Sequence, residues 1–236
     1  MIFELRLYSV APGRMNALHA RFERLPRLFD KHGVRCVGQW TALSGPRLPG
    51  FVYLMAYADL AEREARWAPF YTDPDWLSLR AETNGDVEIV ERYDLMFLKP
   101  NAAWQPEAPV PGQAGGGLHE LLMHEAALGQ GALTNAFLRE VQLPLLREHG
   151  ARTLMVADMA SGPRMPQVVA MLAWPDLATR DAAWRAVTAN ETWLAALAQQ
   201  RATVGWPVLG RTDTYLLDPA ARCDFGLATL AADNAR

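Results

Sequence analysis

The sequence predicts an α+β protein made of two tandem ferredoxin-like βαββαβ units, packed sheet to sheet as an internal pseudo-dimer. Three observations lead there. The chain repeats itself at an offset of 116–117 positions. Each copy runs through strand-like and helix-like periodicities in the order βαββαβ. The two helical regions of a unit cover one face of its sheet, and the other face carries aromatics that a second sheet would bury.

The repeat is legible residue by residue. Glu4-Leu5 falls on Glu120-Leu121, Gly13 on Gly129, Arg35 on Arg152, and Ser44-Gly45-Pro46 on Ser161-Gly162-Pro163. Further on, Asp59-Leu60-Ala61, Arg63, Trp67 and Trp76-Leu77 meet Asp176-Leu177-Ala178, Arg180, Trp184 and Trp193-Leu194. The offset changes from 116 to 117 between Gly129 and Arg152, which places a one-residue insertion inside the first helix of the second copy. Ordered matches with one small shift mark a duplication. The chain divides into a first unit at 1–99, a Pro/Gly-rich linker at 100–117, a more diverged unit at 118–218 and an Ala-rich tail at 219–236.

Each element has a local cause. Phe3 to Tyr8 alternates apolar and polar with period two, a half-buried strand. Pro12-Gly13 turns the chain into a helix reaching about Lys31, with Leu18, Phe22, Leu25 and Phe29 at helical spacing. The HG pair recurs at His32-Gly33 and His149-Gly150, where glycine supplies the left-handed residue that stops a helix. Val34 to Thr41 and Phe51 to Tyr57 read as strands around a Gly/Pro loop. Asp59 is placed to cap a helix carrying Arg63 and Trp67, and Asp73 or Thr72 to cap one starting near Trp76. Glu88 to Leu98 closes the unit as a strand.

Half of the residues are hydrophobic and the net charge is −3, so nothing favours nucleic acid or an anionic membrane, both of which select for excess Lys and Arg. Cys36 and Cys223 supply neither a disulfide framework nor metal-ligand spacing, and no structural metal is expected. No stretch approaches the roughly 18 consecutive apolar residues of a membrane span. The opening MIFELRLYS runs straight into strand-like alternation, and a cytoplasmic location is expected. Pairing of two chains through helix faces or sheet edges stays open.

ELRLYSVAPGRM, LFDKHGVRCVGQW, FVYLMAYADLAEREARW and DPDWL, taken with the Gly-Pro loop, resemble the NIPSNAP family over nearly all of residues 1–99. HELLMHEAALGQG, EHGARTLMVADMASGP and MLAWPDLATRDAAW look like a more diverged copy. The resemblance implies the dimeric α/β-barrel fold, with two units around a central cavity. It implies no agreed reaction, since fold alone does not set function. Relatives of that fold include cofactor-free monooxygenases, haem-binding enzymes and small ligand-binding domains. Eukaryotic members of the family have trafficking and mitochondrial-signalling associations.

No catalytic motif stands out: H-E-x-x-H, the P-loop, G-x-G-x-x-G and G-x-S-x-G are all missing. The first strands offer the best candidates. If Phe3, Leu5 and Leu7 meet the helices, then Glu4, Arg6 and Tyr8 point into the central cavity, joined by Glu120, Leu122 and His124 from the second copy. Such convergent polar groups mark a small-molecule site. The competing reading is a Glu4–Arg6 ion pair that seals the sheet–sheet interface. Glu4, Tyr8 and His124 are the catalytic candidates, with His124 as a general base or an axial haem ligand. Otherwise His124 is a hydrogen-bonded core residue. Arg35 and Arg152 suit a carboxylate or phosphate, or else a salt bridge across the pseudo-twofold axis, the favoured reading. Trp40, Tyr53 and Tyr57 suit stacking on an aromatic ligand or ordinary packing. Trp67, Trp76, Trp184 and Trp193 read as core.

The leading expectation is a small organic molecule bound in the barrel, without a predicted cofactor. A cofactor-independent monooxygenase or isomerase is its catalytic form. The alternatives are a protein-interaction scaffold and a haem-binding protein.

Overall fold

A computed structural model describes residues 1–105 and 117–220; positions 106–116 of the linker expected at 100–117, and positions 221–236 of the tail expected at 219–236, Cys223 included, lie outside the described residues. The first unit comprises β1 (Ile2–Val10), α1 (Met15–His32), β2 (Cys36–Ser44), β3 (Gly50–Tyr57), α2 (Leu60–Tyr71), α3 (Pro74–Asn84) and β4 (Val90–Pro100). The second comprises β5 (Leu118–Ala126), α4 (Gly131–Phe137), α5 (Leu143–Glu148), β6 (Arg152–Ser161), β7 (Gln167–Trp174), α6 (Leu177–Ala189), α7 (Glu191–Val204) and β8 (Leu209–Pro219).

A π-helical turn, Leu138–Gln142, joins α4 to α5. A π turn accommodates one extra residue in a helix. It sits where the offset of the repeat places the insertion.

The helix stops behave as the HG pairs predict. Gly33 (φ 65°) and Gly150 (φ 96°) both adopt positive φ. Val34 still donates its N–H back to Phe29 O at 2.8 Å, so β2 begins only at Cys36 instead of at Val34. Asp59 caps α2 by accepting from Glu62 N, and Asp73 caps α3 by accepting from Asp75 N.

Eight antiparallel strands close into one barrel in the order β1-β3-β2-β8-β5-β7-β6-β4. Within each unit the order is the ferredoxin-like one, and the two sheets are stitched edge to edge at β2–β8 and β4–β6. Closure removes all free edges. The core falls into three parts. One cluster draws on both units, with Phe3, Leu5, Trp40, Leu121 and Met171 among its members, and fills the barrel. The other two lie between each sheet and its own helices.

This corrects the expected orientation of the first strand. Phe3, Leu5 and Leu7 face the barrel interior, while Glu4, Arg6 and Tyr8 face the helices. An eight-stranded barrel is just wide enough for side chains to fill, and no helix reaches in to pair a charge. The helix side brings Arg63 and Tyr71 to satisfy Glu4 and Arg6. The polar stripe therefore belongs outside the barrel.

Candidate functional site

In the first unit the polar stripe of β1 is consumed by its own surroundings. Glu4, fully buried, accepts from Arg6 Nε at 2.6 Å and from Arg63 Nε of α2 at 2.9 Å. Arg6 donates to the hydroxyls of Tyr53 (2.9 Å) and Tyr71 (3.3 Å), and its guanidinium lies 4.4 Å from the Trp67 ring centre. The Tyr8 and Tyr53 hydroxyls share a hydrogen bond of 2.5 Å. Burial works against the charge on Arg6, yet Tyr53, Tyr8 and Glu4 together hold its pKa above the ordinary value. Burial also pushes the Tyr53 phenol well up. The Glu4–Arg6 ion pair forms, but between sheet and helices and not at the sheet–sheet interface where it was expected. Only about 50 Å³ of space is left among these groups.

At the equivalent place in the second unit the same scaffold is opened. Glu120 repeats Glu4: it accepts from Arg180 Nε at 2.9 Å and from the indole N–H groups of Trp174 and Trp184 at 2.9 and 3.0 Å. Leu122 stands for Arg6, and its cross-strand partner Ala170 stands for Tyr53. A cavity of about 270 Å³ results, with Leu122, Phe137, Trp184, Trp193 and Leu197 in its walls and His124, Gln142, Arg180, Gln200, Thr212 and Thr214 as polar members.

His124 takes the place of Tyr8. Its Nδ1 lies 2.7 Å from Thr212 Oγ1 and its Nε2 lies 3.3 Å from Gln142 Nε2. Gln142 Nε2 can only donate, so Nε2 of the imidazole is the acceptor and the proton sits on Nδ1, donated to Thr212. Thr212 passes its own proton toward Gly210 O, 3.5 Å away. Burial lowers the His124 pKa to about 4, so the ring is neutral near pH 7. The π turn carries Gln142, which is 1% exposed, to this position.

The family model described as NIPSNAP matches residues 3–105 and 128–220, most of both units. The chain belongs to the NIPSNAP family. It is similar to a NIPSNAP domain protein from Burkholderia xenovorans, 26% identical over 45% of this chain and 100% of its own, with a TM-score of 0.39. It is also similar to a protein from Lactobacillus acidophilus NCFM named as a candidate monooxygenase, at 9% identity, 92% of this chain, 93% of its own and a TM-score of 0.55. An anthrone oxidase-like protein covers 94% of each chain at 17% identity with a TM-score of 0.53. The last two likenesses are of fold. Among curated proteins none matches the chain.

The remaining candidates of this NIPSNAP chain do not converge on one site. Trp40 points into the barrel, where its indole donates to His119 Nδ1 at 2.9 Å, while Tyr53 and Tyr57 point the other way, toward the helices. Burial and the nearby Arg152 lower the His119 pKa to about 4. Arg35 is exposed at the mouth of β2, and neither it nor Arg152 makes an ion pair among the described residues, so the expected bridge across the pseudo-twofold axis does not form. Arg35 directly precedes β2 and Arg152 opens β6, each two residues after a glycine stop. Among the described residues no three His, Cys, Asp or Glu side chains gather as metal ligands would, and no helix is long and apolar enough to cross a membrane.

Sequence reasoning missed Gln142 and Thr212. The shift in repeat offset pointed at the first, and its meaning appears only once the π turn is seen. Trp184 and Trp193, read as core, do pack against the sheet–helix core of the second unit, half-buried, and also line the pocket.

Proposed function

We propose that this protein binds a small, uncharged organic molecule in the sheet–helix pocket of the second unit, outside the barrel. One observation carries this reading. A space that the first unit fills with its own Arg6, Tyr53 and Tyr71 is left in the second as a cavity of about 270 Å³. Apolar walls with a few convergent polar groups are the usual make-up of a ligand site. An apolar cavity of about 150 Å³ is enough to hold benzene, so one substituted ring or two fused rings are of the right size.

Cofactor-independent oxygenation or isomerisation is the catalytic form of this reading, and the names of two structural neighbours point toward oxidative chemistry. The observation favouring it is the His124 imidazole among the pocket's lining residues, its Nε2 held, among the described residues, only by the long 3.3 Å contact from Gln142. With a pKa near 4, that nitrogen takes a proton only from an acidic substrate, so binding is the better-supported role. Haem fits less well. Both ring nitrogens of His124 are engaged, and ligating iron would break the contact to Gln142 or to Thr212.

Native mass spectrometry of the protein purified from its own host tests the binding reading. The expected result is a co-purifying molecule bound one to one, absent from Leu197→Trp, which fills the pocket from α7. A mass retained in that variant would place the ligand elsewhere. Protein without a ligand but with a bound protein partner would favour the scaffold role.

A further inference from the structure

The pocket also specifies a ligand class. We infer that its ligand is a hydroxylated aromatic of the phenol class, with the hydroxyl held between His124 Nε2 and the Gln142 amide and the ring against Trp184 and Trp193. This rests on the binding reading above and goes one step past it.

Charge is settled first. Arg180 is the one charged side chain among the residues lining the cavity. Glu120 already engages it through two of its nitrogens, and the carboxylate has its other oxygen on Trp174 and Trp184. Neither charge needs a counter-ion from a ligand. Burying an unpaired charge there would cost more than the walls return.

The polar groups decide the rest. Thr212 holds the His124 proton on Nδ1, so Nε2 presents a lone pair, and its partner among the described residues is the Gln142 amide at 3.3 Å, a long contact. A hydroxyl entering beside them donates to Nε2 and accepts from the amide at once. An ether or ketone oxygen can only accept, and leaves Nε2 as it is. The walls are planar: Trp184, Trp193 and Phe137.

The first unit supplies an internal template. There Tyr53 and Tyr71 bring two phenols into the equivalent space, and Tyr53 places its hydroxyl 2.5 Å from that of Tyr8, the residue that His124 replaces. Ala170 and Thr188 remove both phenols from the second unit. A free phenol would take the place that those side chains hold in the first unit.

Calorimetric titration of the full chain with 4-methylphenol, toluene and 4-methylanisole at pH 7 tests this. 4-Methylphenol is expected to bind about tenfold more tightly than either of the others, the net worth of one buried hydrogen bond. His124→Phe is expected to bring the three within about twofold of one another while toluene binding persists, and Leu197→Trp to abolish all three. Should His124→Phe fail to fold, Gln142→Met is the substitute, with a partial loss of the same preference. Equal affinity for toluene and 4-methylphenol in the native chain would overturn the phenol assignment and leave the pocket reading standing. Binding of none of the three would overturn it as well, and the co-purified mass would then decide the pocket reading on its own.

Discussion

The two units keep one interaction and differ in what surrounds it. Glu4 with Arg63 and Glu120 with Arg180 are the same anchor: a buried carboxylate on the first strand tied to an arginine one turn into the helix that follows the third strand. Trp67 and Trp184 sit against it in both. Around it, Arg6, Tyr8, Tyr53 and Tyr71 of the first unit face Leu122, His124, Ala170 and Thr188 of the second. The anchor fixes how the helix docks on the sheet and is under the same demand twice. The filler is not. One copy spends its volume on a closed network of cation, phenols and indole, and the other leaves the volume for something else.

Cutting each anchor gives the largest difference between the units. In Glu4→Ala, Arg6 stays buried with a side chain only 5% exposed and loses its carboxylate. The expected loss is about 3–5 kcal/mol, typical of a broken buried pair. In Glu120→Ala the arginine, 22% exposed, can turn toward water, and two indole N–H groups lose their acceptor. A smaller loss of about 2–3 kcal/mol follows. Urea unfolding of both variants at 25 °C measures it. Equal losses would mean that the second cation in the first unit carries no weight.

How much of this is readable in the letters follows from where each fact lives. The duplication, the helix stops and the caps are local, and Asp59, Asp73, Gly33 and Gly150 announce them. The alternation of β1 separates Phe3-Leu5-Leu7 from Glu4-Arg6-Tyr8 correctly. It does not say which set faces the helices, because that depends on closure of the barrel, completed only when β8 pairs with β2. The candidate site inherits this. His124 was singled out and does line a pocket, but on the opposite side of the sheet. Trp184 and Trp193 read as core because Trp67 and Trp76 match them, and they do pack there. That they also line a pocket is not legible, since a copied residue says nothing about a neighbour that has shrunk.

Acid should find the second unit first. His119 and His124 both belong to it, and burial holds the pKa of each at about 4. The unfolded chain binds those protons more tightly than the folded one, at about pH 6.5. Their contribution to stability is therefore present above pH 6.5 and is lost as the pH falls from 6.5 to 4, by roughly 3 kcal/mol for each histidine. His124→Phe should flatten the fall in the urea midpoint over that window by about half. Arg180 is the one charged side chain lining the pocket beside His124, and Glu120 holds it, so no free carboxylate is placed to reverse the sign. A variant as acid-sensitive as the parent would show that His124 is solvated, and the pocket more open than its walls suggest.

The smallest effect is the one where the two units must agree. Asp59 accepts from Glu62 N at 2.8 Å to start α2, and Asp176 accepts from Thr179 N at 2.7 Å to start α6. Both residues are extended before the first turn, and both helices carry the arginine of the anchor. An N-cap aspartate satisfies a backbone N–H that the helix cannot, and its removal costs about 1 kcal/mol wherever it occurs. Asp59→Ala and Asp176→Ala should then lower stability by the same amount, read as equal shifts in the urea midpoint with the slope unchanged. Because neither cap touches the filler, ligand binding should be untouched in both. A larger loss for Asp176→Ala, accompanied by weaker ligand binding, would mean that α6 is held in place by its cap more than by Glu120–Arg180. In that case the shared anchor would be an inheritance of the duplication that the second unit no longer depends on.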